Sequence, residues 1–152
     1  MNVLGVDYDS HFVHFANLTG DVLSLFRCPV ETTLVKTIDN ITSLLTLRRP
    51  TLVVIEAPIY IQNPKTSFKL VQVHTLIRVA CERKKFRYEI VSITAWKKLT
   101  FGYAKLKKQE VFELMKTKYG EIISDNHYAD AAAMSVAGKV LLEAKDGIEA
   151  TK

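Results

Sequence analysis

The sequence contains only two cysteines, and they do not follow a spacing typical of metal ligands. Cys28 lies in a strand-like run and Cys81 in a helical pattern, so we interpret both as reduced, structural residues of an intracellular protein. No apolar run reaches the roughly 18 residues that a membrane-spanning helix requires. The first apolar stretch is short and is interrupted by Asp7 and Asp9, which argues against a secretory signal peptide. These absences predict a soluble protein of the cytoplasm or nucleoid, or of a host cell if its origin is viral.

The chain also lacks internal repeats and low-complexity segments, and its 152 residues are enough for one domain with a sizeable core. Apolar residues make up 48% of the chain and charged residues 24%, which is typical of a globular protein that does not enter membranes. We expect the domain to span residues 1–144 and residues 145–152 to form a frayed C-terminal tail.

Positive charge is concentrated in one part of the chain. The net charge of +5 permits a polyanionic partner. Between residues 83 and 108, basic residues alternate with aromatic ones, and Glu89 is the single acid. This pattern is typical of a nucleic-acid surface, and the alternative is a solvated face above core aromatics. The basic residues of this stretch are Arg83, Lys84, Lys85, Arg87, Lys97, Lys98, Lys105, Lys107 and Lys108.

The hydrophobic pattern predicts elements in the order βββ, α, β, α, β, α, α. The predicted strands cover residues 3–7, 11–18, 22–28, 52–56 and 86–93. The predicted helices cover residues 31–48, 66–83, 107–119 and 130–144, and residues 57–64 and 94–106 are predicted loops. The fold class is therefore α/β, with a five-stranded mixed sheet and helices on both faces. A three-strand antiparallel meander and two parallel strands make up this sheet.

Acids and a histidine occur where structural reasons for them are few. Asp7 ends the apolar run 1–6 and Glu56 ends the run 52–55, and a buried carboxylate is costly unless something compensates it. His127 and Asp130 lie three residues apart at the start of an alanine-rich helix. If the first and fourth strands pair in parallel, Asp7 and Glu56 lie next to each other at the strand ends. The last helix can then bring Asp130 alongside them. A divalent cation held by such carboxylates is a standard device for cutting phosphodiesters.

Structural interpretations exist for most of these residues, but Glu56 is hard to explain structurally because it follows four apolar residues and precedes Ala-Pro. Asp7 could cap a turn at a strand end, and Asp9 is predicted to be a turn residue beside Ser10. Asp130 could be a first-turn acid favoured by the helix dipole, and His127 a packing residue. Asp125 is either the N-cap of the last helix or a competing metal ligand.

Six motifs follow one another along the chain: Gly5–Ser10, Val54–Glu56, the segment with Asn63, Lys69 and Gln72, the stretch from Trp96 to Gly102, Lys108–Val111 and His127–Ala132. This ordered set resembles the RuvC-type Holliday junction resolvases of the ribonuclease H-like superfamily, over roughly residues 3–142. The resemblance implies a metal-dependent endonuclease that resolves four-way DNA junctions by paired symmetric nicks and leaves 5′-phosphate ends. It also implies a homodimer, for which apolar residues of the helix 66–83 could provide the contact.

The resemblance further implies two Mg²⁺ ions per site, for which Mn²⁺ is expected to substitute. Asp7 would bridge the two ions, and Glu56 and Asp130 would each complete the shell of one. His127 would bind a metal or position the attacking water, and Lys108 would stabilise the reacting phosphate. Residues with expected nucleic-acid contacts are Tyr60, Asn63, Lys69, Lys97, Lys98, Lys105, Lys107 and Lys108.

The chain departs from the family pattern at three places, which leaves its fine substrate selectivity open. Ile59 stands where family members often carry an aromatic that wedges at the junction centre, and Tyr60 is a candidate for that stacking role. Tyr8 and Asp9 stand where the family usually has Pro-Gly, and the loop near Gly102 lacks a second glycine.

Other functions remain open at this point. One is a less selective nuclease of the same fold that cuts branched DNA or RNA/DNA hybrids. Another is a non-catalytic nucleic-acid-binding module, against which the intact Asp7, Glu56 and Asp130 argue. A fragment of a sugar-kinase-like fold is disfavoured because the chain is too short for two lobes and has no glycine-rich phosphate loop.

Overall fold

A computed structural model of the chain describes residues 1–59 and 61–150, except for the side chains of residues 148 and 150. Its five strands form one mixed sheet in the order β3-β2-β1-β4-β5. The strands are β1 (Asn2–Tyr8), β2 (Phe12–Thr19), β3 (Val22–Pro29), β4 (Leu52–Glu56) and β5 (Tyr88–Val91). This sheet, with helices on both faces, confirms the predicted fold class.

The register of the sheet brings the two predicted acidic tips to one edge. β1 pairs antiparallel with β2, and the meander continues into β3 as predicted. β1 also pairs in parallel with β4, so that Val6 lies opposite Ile55. The next residue of each strand, Asp7 and Glu56, therefore lies at the same edge of the sheet. Across the antiparallel pair, Asp7 lies opposite His14.

β5 is shorter than the predicted strand 86–93. Lys85 has a left-handed backbone with φ of 57°, and the N–H of Phe86 donates to Cys81 O. These two residues therefore complete the turn that ends the preceding helix. At the other end, Ser92 caps the helix that follows.

Within residues 1–59 and 61–150, five α-helices surround the sheet. They are α1 (Leu34–Arg48), α2 (Pro64–Arg83), α3 (Ile93–Phe101), α4 (Lys108–Tyr119) and α5 (Asn126–Ala150). α1 begins later than predicted because Thr33 is its N-cap and accepts from Lys36 N–H. α2 begins earlier than predicted because Pro64 is tolerated in the first turn, where its missing N–H would have no helical partner.

The prediction that residues 94–106 form a loop is wrong for its first half, which is the helix α3. Ser92 Oγ accepts from Ala95 N–H at 3.2 Å, and Gly102 ends the helix with φ of 75°. The helix forms because it buries Trp96 against the core, with Leu99 partly buried beside it. Tertiary packing thus stabilises a segment whose polar and aromatic composition resembles a loop.

The last helix is longer than the predicted 130–144. Asp125 Oδ1 accepts from Tyr128 N–H at 2.9 Å, so Asp125 caps α5 and the helix begins at Asn126. At the other end, the predicted frayed tail is helical as far as Ala150, and residues 151 and 152 lie outside the described part. The division into a domain of residues 1–144 and a tail stays a prediction. α4 ends before Gly120 as predicted.

α5 packs closely against the central strands because each side of the contact has a glycine, Gly5 on β1 and Gly138 on α5. A Cβ atom added to Gly5 would collide with the carbonyl oxygen of Ala131. A Cβ added to Gly138 would lie 2.5 Å from Val3 Cγ1 and 2.6 Å from Val54 Cγ2. The missing side chains let α5 approach β1, and this brings the first turns of α5 to the sheet edge that carries Asp7.

Both cysteines are free and buried, Cys28 in β3 and Cys81 in α2. Burial raises the pKa of the Cys28 thiol to about 11 and that of Cys81 to about 12. Both therefore remain protonated packing residues, as their sequence context indicates. Within the described residues, no helix is long and apolar enough to cross a bilayer.

Candidate active site

A cleft of about 300 Å³ opens at the sheet edge where β1 and β4 end. The structure brings all five predicted catalytic residues to this cleft, although they come from four separate segments of the chain. Its lining consists of Asp7, Tyr8, Glu56, Ile59, Ile93, Trp96, Lys97, Lys108, His127 and Asp130. β1 supplies the first acid, β4 the second, and α5 the third together with the histidine.

The acids of the cleft are crowded and poorly solvated. Asp7 is 6% exposed and Glu56 is 9% exposed. Burial, followed by repulsion from Asp7, raises the pKa of Glu56 to about 7. Burial and then Asp7 likewise raise the pKa of Asp130 to about 7, although the positive charge of Lys108 opposes the shift. Two buried carboxyl groups and the half-buried Asp130 therefore lie close together, and a positive charge between them would favour the ionised forms of Glu56 and Asp130.

The donor set fits a hard divalent cation. Carboxylate oxygens are the ligands that Mg²⁺ and Mn²⁺ prefer, and an imidazole beside them is acceptable to Mn²⁺. A bound cation would also remove the repulsion that raises the pKa of Glu56 and Asp130. Asp7, Glu56, Asp130 and His127 are therefore the residues that could hold the metal. Asp125, the competing candidate, uses its side chain to cap α5.

His127 is held between two acids. Its Nδ1 lies 2.8 Å from Asp7 Oδ2, and its Nε2 lies 3.4 Å from Asp9 Oδ2. The hydrogen bond to Asp7 raises the pKa of His127 against the opposing effect of burial. Asp9 has a second role, since its Oδ1 accepts from the N–H groups of His11 and Phe12. It is thus both the predicted turn residue and a support for His127.

His14 belongs to the site and was not predicted. Its ring stacks on that of His127 with a centroid distance of 4.6 Å and an interplanar angle of 9°. Asp9, His14 and His127 bring one ligand atom each within 4.8 Å of one another. Because the two rings are nearly parallel, their nitrogen lone pairs lie in separate planes, and a single ion could not meet both without a ring turning. We interpret this trio as the support of His127. The hairpin register, which places His14 opposite Asp7, is the sequence signal that could have revealed it.

Two further residues that the sequence analysis did not assign to the site contact Glu56. The indole Nε1 of Trp96 donates to Glu56 Oε2 at 2.8 Å. The hydroxyl of Tyr8 donates to the main-chain oxygen of Glu56 at 3.1 Å, and it lies 3.2 Å from His74 Nδ1. Glu56 is thus fixed through both its carboxylate and its backbone. No sequence pattern predicts these contacts, because the Trp96 contact depends on the tertiary position of α3 and the Tyr8 contact on the pairing of β1 with β4.

The predicted DNA-contacting lysines lie in different places. Lys97 and Lys108 line the cleft, and Lys97 Nζ also donates to Leu106 O at 2.7 Å. Lys98, Lys105 and Lys107 are exposed in α3 and in the segment between α3 and α4. Since β5 runs parallel to β4, Arg87 at its start lies at the sheet edge opposite the cleft. The basic stretch 83–108 is therefore divided between two sides of the molecule.

Of the other predicted nucleic-acid residues, Asn63 and Lys69 lie outside the cleft lining. Asn63 caps α2, where its Oδ1 accepts from Lys65 N–H at 3.0 Å. Lys69 lines a separate concavity with Ser10 and Phe68. Tyr60 lies outside the described residues. The DNA contacts of all these residues stay predictions.

Structural comparison finds relatives that cover nearly the whole chain. RuvC of Thermus thermophilus in complex with a Holliday junction substrate has a TM-score of 0.80 at 17% identity, and the match covers 95% of this chain and 96% of that one. A second Thermus thermophilus RuvC structure has a TM-score of 0.74 at 16% identity, with 95% and 97% covered. The yeast mitochondrial Holliday junction resolvase has a TM-score of 0.57 at 13% identity, with 99% and 84% covered. At these identities the likeness shows the fold.

The sequence itself carries the evidence of family. A search of curated proteins finds no significant match. The family model for the crossover junction endodeoxyribonuclease RuvC matches residues 9–138, which is most of the chain. The chain therefore belongs to the RuvC family of crossover junction endodeoxyribonucleases.

Proposed function

We propose that the protein resolves four-way DNA junctions by paired, metal-dependent nicks, and that the cleft at the ends of β1 and β4 performs the hydrolysis. The observation that carries this proposal is the convergence of Asp7, Glu56, Asp130 and His127 with Lys108 in one cleft. The resolvases of the same fold, one of them bound to a Holliday junction, support the choice of substrate.

The metal would be held by Asp7, Glu56 and Asp130, with His127 beside them. Mg²⁺ is the expected ion and Mn²⁺ its substitute, two per site. When bound, such ions supply Lewis-acid activation of water and stabilisation of charge on the phosphate oxygens. Asp9 and His14 keep His127 next to Asp7, which leaves the imidazole in place to bind metal or to orient the attacking water.

The lysines are proposed to act on the phosphate. Lys108 lines the cleft and lies close enough to lower the pKa of both Glu56 and Asp130. A cation in this position can stabilise the charge that develops on the phosphate during hydrolysis. Lys97 lies beside it, while the exposed Lys98, Lys105 and Lys107 would hold the DNA backbone without reading its sequence.

Asp7→Asn tests the site directly. We expect this variant to lose cleavage of a synthetic four-way junction by at least about a thousandfold, because the shared carboxylate is removed. Junction binding should remain and should weaken as salt is raised, because it depends on phosphate contacts. Labelled junction, duplex and RNA/DNA hybrid, each with and without Mg²⁺, complete the experiment.

The outcome separates the candidate functions. Symmetric nicks with 5′-phosphate ends on the junction support resolution. Equal cutting of branched duplex or hybrid would instead indicate a loose nuclease. Binding without cleavage by the unmodified protein would indicate a non-catalytic module. Full activity in Asp7→Asn would contradict the proposed metal site.

We also propose that the active form is a homodimer built on α2, since two opposed strands must be cut together. Phe68, Val71, Thr75 and Val79 follow helical spacing and are all exposed on this helix. Phe68 is 72% exposed, which is unusual for a phenylalanine on a surface that has no partner. A face of this kind can form a self-complementary two-fold contact.

Val71→Glu should convert the dimer to a monomer, because the charge would be buried against the copy across the two-fold axis. Sedimentation measures the mass, and junction assays measure whether nicks become single and unpaired. Val35→Glu on α1 is the control, since Val35 is equally apolar and is 67% exposed. A monomeric unmodified protein that still makes paired nicks would contradict the dimer.

A further inference from the structure

The cleft contains one residue whose chemistry is not used by the proposed reaction. Trp96 is the only tryptophan of the sequence, and its side chain is 1% exposed. It lies at the centre of α3, and its single polar atom, Nε1, donates to Glu56 Oε2 at 2.8 Å. The carbon atoms of the indole therefore pack in the core, while its N–H group contacts one carboxylate oxygen of Glu56.

This hydrogen bond controls the direction of the Glu56 side chain. A glutamate has three side-chain torsions, and its terminal torsion is broad, so a carboxylate at a strand end is not oriented by packing alone. The indole N–H engages one of the two oxygens. Meanwhile the Tyr8 hydroxyl holds the main-chain oxygen of the same residue at 3.1 Å. Because Oε2 accepts the indole N–H and Glu56 lines the cleft, we infer that the other carboxylate oxygen, Oε1, is the one that a ligand in the cleft would meet.

The donor is also neutral, and this matters for a cation site. A lysine or arginine at the same place would fix the carboxylate but would repel a metal ion. An indole N–H stabilises the ionised carboxylate without adding a positive charge. In agreement with this, the bond from Trp96 lowers the pKa of Glu56 against the larger effects of burial and Asp7.

We propose that Trp96 is a positioning residue that holds Glu56 by Oε2 and so presents Oε1 to the divalent cation. This inference rests on the proposed metal site, because Glu56 must be one of its ligands. α3 is itself fixed by Thr100, whose hydroxyl donates to Ala133 O on α5 at 2.7 Å. The helix thus connects the Glu56 carboxylate to the element that carries His127 and Asp130.

The competing interpretation is that Trp96 only fills the core, and a change of one atom distinguishes the two. Because the chain has a single tryptophan, growth of a tryptophan auxotroph on β-(benzothienyl)alanine replaces this residue alone. The analogue keeps the bicyclic shape and substitutes sulfur for the N–H group. Trp96→Phe is the genetic counterpart, and its thermal unfolding shows how much packing the smaller ring loses.

The quantity to measure is the affinity of the protein for Mn²⁺ in the absence of DNA, by electron paramagnetic resonance and by calorimetry. We expect the analogue protein to bind Mn²⁺ about tenfold more weakly, which corresponds to about 1.4 kcal/mol, with little change in its melting temperature. In junction cleavage, the Mg²⁺ concentration for half-maximal rate should rise while the rate at saturating Mg²⁺ is largely kept. Trp96→Phe should show the same shift in affinity.

Unchanged Mn²⁺ affinity in the analogue protein would overturn the proposal, because a filler of the core needs no N–H group. A lower cleavage rate at saturating Mg²⁺ with unchanged affinity would also overturn it. If the unmodified protein binds Mn²⁺ and the analogue weakens that binding, the positioning role stands even where no junction is cut. That last result would defeat only the proposed nuclease function.

Discussion

The two faces of the sheet are packed in different ways. On one face, large aliphatic side chains of α1 and α2, such as Ile41, Leu45 and Ile77, pack with those of β1 and β4, such as Leu4. On the other face, α5 meets the same strands through a run of buried alanines and through Gly5 and Gly138. On the first face, a layer of side chains separates the helices from the sheet. On the second face, the backbone of α5 lies almost directly against the backbone of β1.

This difference indicates where the fold supports stability and where it supports the site. Every acid of the cleft lies at the sheet edge or on α5, and α1 and α2 contribute none of them. A layer of large side chains can relax around a change, because neighbouring rotamers adjust. A backbone contact through glycine cannot adjust in this way. The α5 face should therefore control the geometry of the acids, and the α1 and α2 face should control mainly the free energy of unfolding.

Gly5→Ala should give the largest effect and is the strongest test of this comparison. The added Cβ would meet the Ala131 carbonyl oxygen and, at 2.6 Å, Ser135 N, both of which are backbone atoms. We expect a loss of about 3 kcal/mol or more in the free energy of unfolding. Cleavage by the folded fraction should fall about a hundredfold, because α5 and Asp130 shift away from Asp7.

Denaturant unfolding and single-turnover cleavage measure the two effects separately. Gly20→Ala is the control, since its φ of 62° strains alanine but its surroundings are open. It should cost about 1–2 kcal/mol without changing cleavage. A Gly5→Ala protein with normal cleavage would mean that α5 does not set the spacing of the acids.

The parts of the site that could be predicted are those that follow from local patterns at strand ends and at the start of the last helix. Asp7 and Glu56 each follow a buried apolar run, and parallel pairing of such strands places their ends together. The order of elements also predicts the five-stranded sheet. His127 and Asp130 could be predicted because one turn of helix separates them, so one face of α5 carries both. In each case local periodicity carries the information.

The parts that could not be predicted depend on contacts distant in sequence. α3 was missed because threonines and aromatics give it weak helical periodicity, and only burial of Trp96 against the core makes it a helix. Its hydrogen bond to Glu56 spans 40 residues of chain. His14 lies within the predicted strand 11–18, but its stacking on His127 requires α5 to be in place. The start of α1 moved because its N-cap, Thr33, was not recognised, whereas Asp125 was already a candidate for the N-cap that the structure assigns to it.

Leu45→Ala sharpens the comparison from the other face and should have a smaller effect on the site. Leu45 is fully buried on α1, and its truncation should cost about 2–5 kcal/mol in unfolding free energy. Cleavage per folded molecule should be unchanged, since the cavity lies in the layer that carries no acid of the cleft. The melting temperature measures the loss of stability, and the single-turnover rate at low temperature measures cleavage by the folded protein. A tenfold loss of rate would show that the two faces are not independent.

The smallest expected effect is that of Glu56→Gln on the free energy of unfolding, and this effect should depend on pH. The pKa of Glu56 is about 7 in the folded protein against 4.5 for a solvated glutamate, so folding without metal favours its protonated form. Glu56→Gln, which mimics that form, should not stabilise the metal-free protein below about pH 4.5. Its advantage should grow as the pH rises from 4.5 to 7 and reach on the order of 1–3 kcal/mol above that range. Saturating Mg²⁺ should make Glu56→Gln less stable than the unmodified protein, because the glutamine cannot supply an anionic oxygen.

Thermal unfolding at pH 5 and pH 8 measures how the effect of Glu56→Gln on stability depends on pH, with Asp39→Asn on the exposed surface of α1 as the control. An equal effect of Glu56→Gln at both pH values would show that the crowded carboxylates on the α5 side do not set the pH dependence of folding.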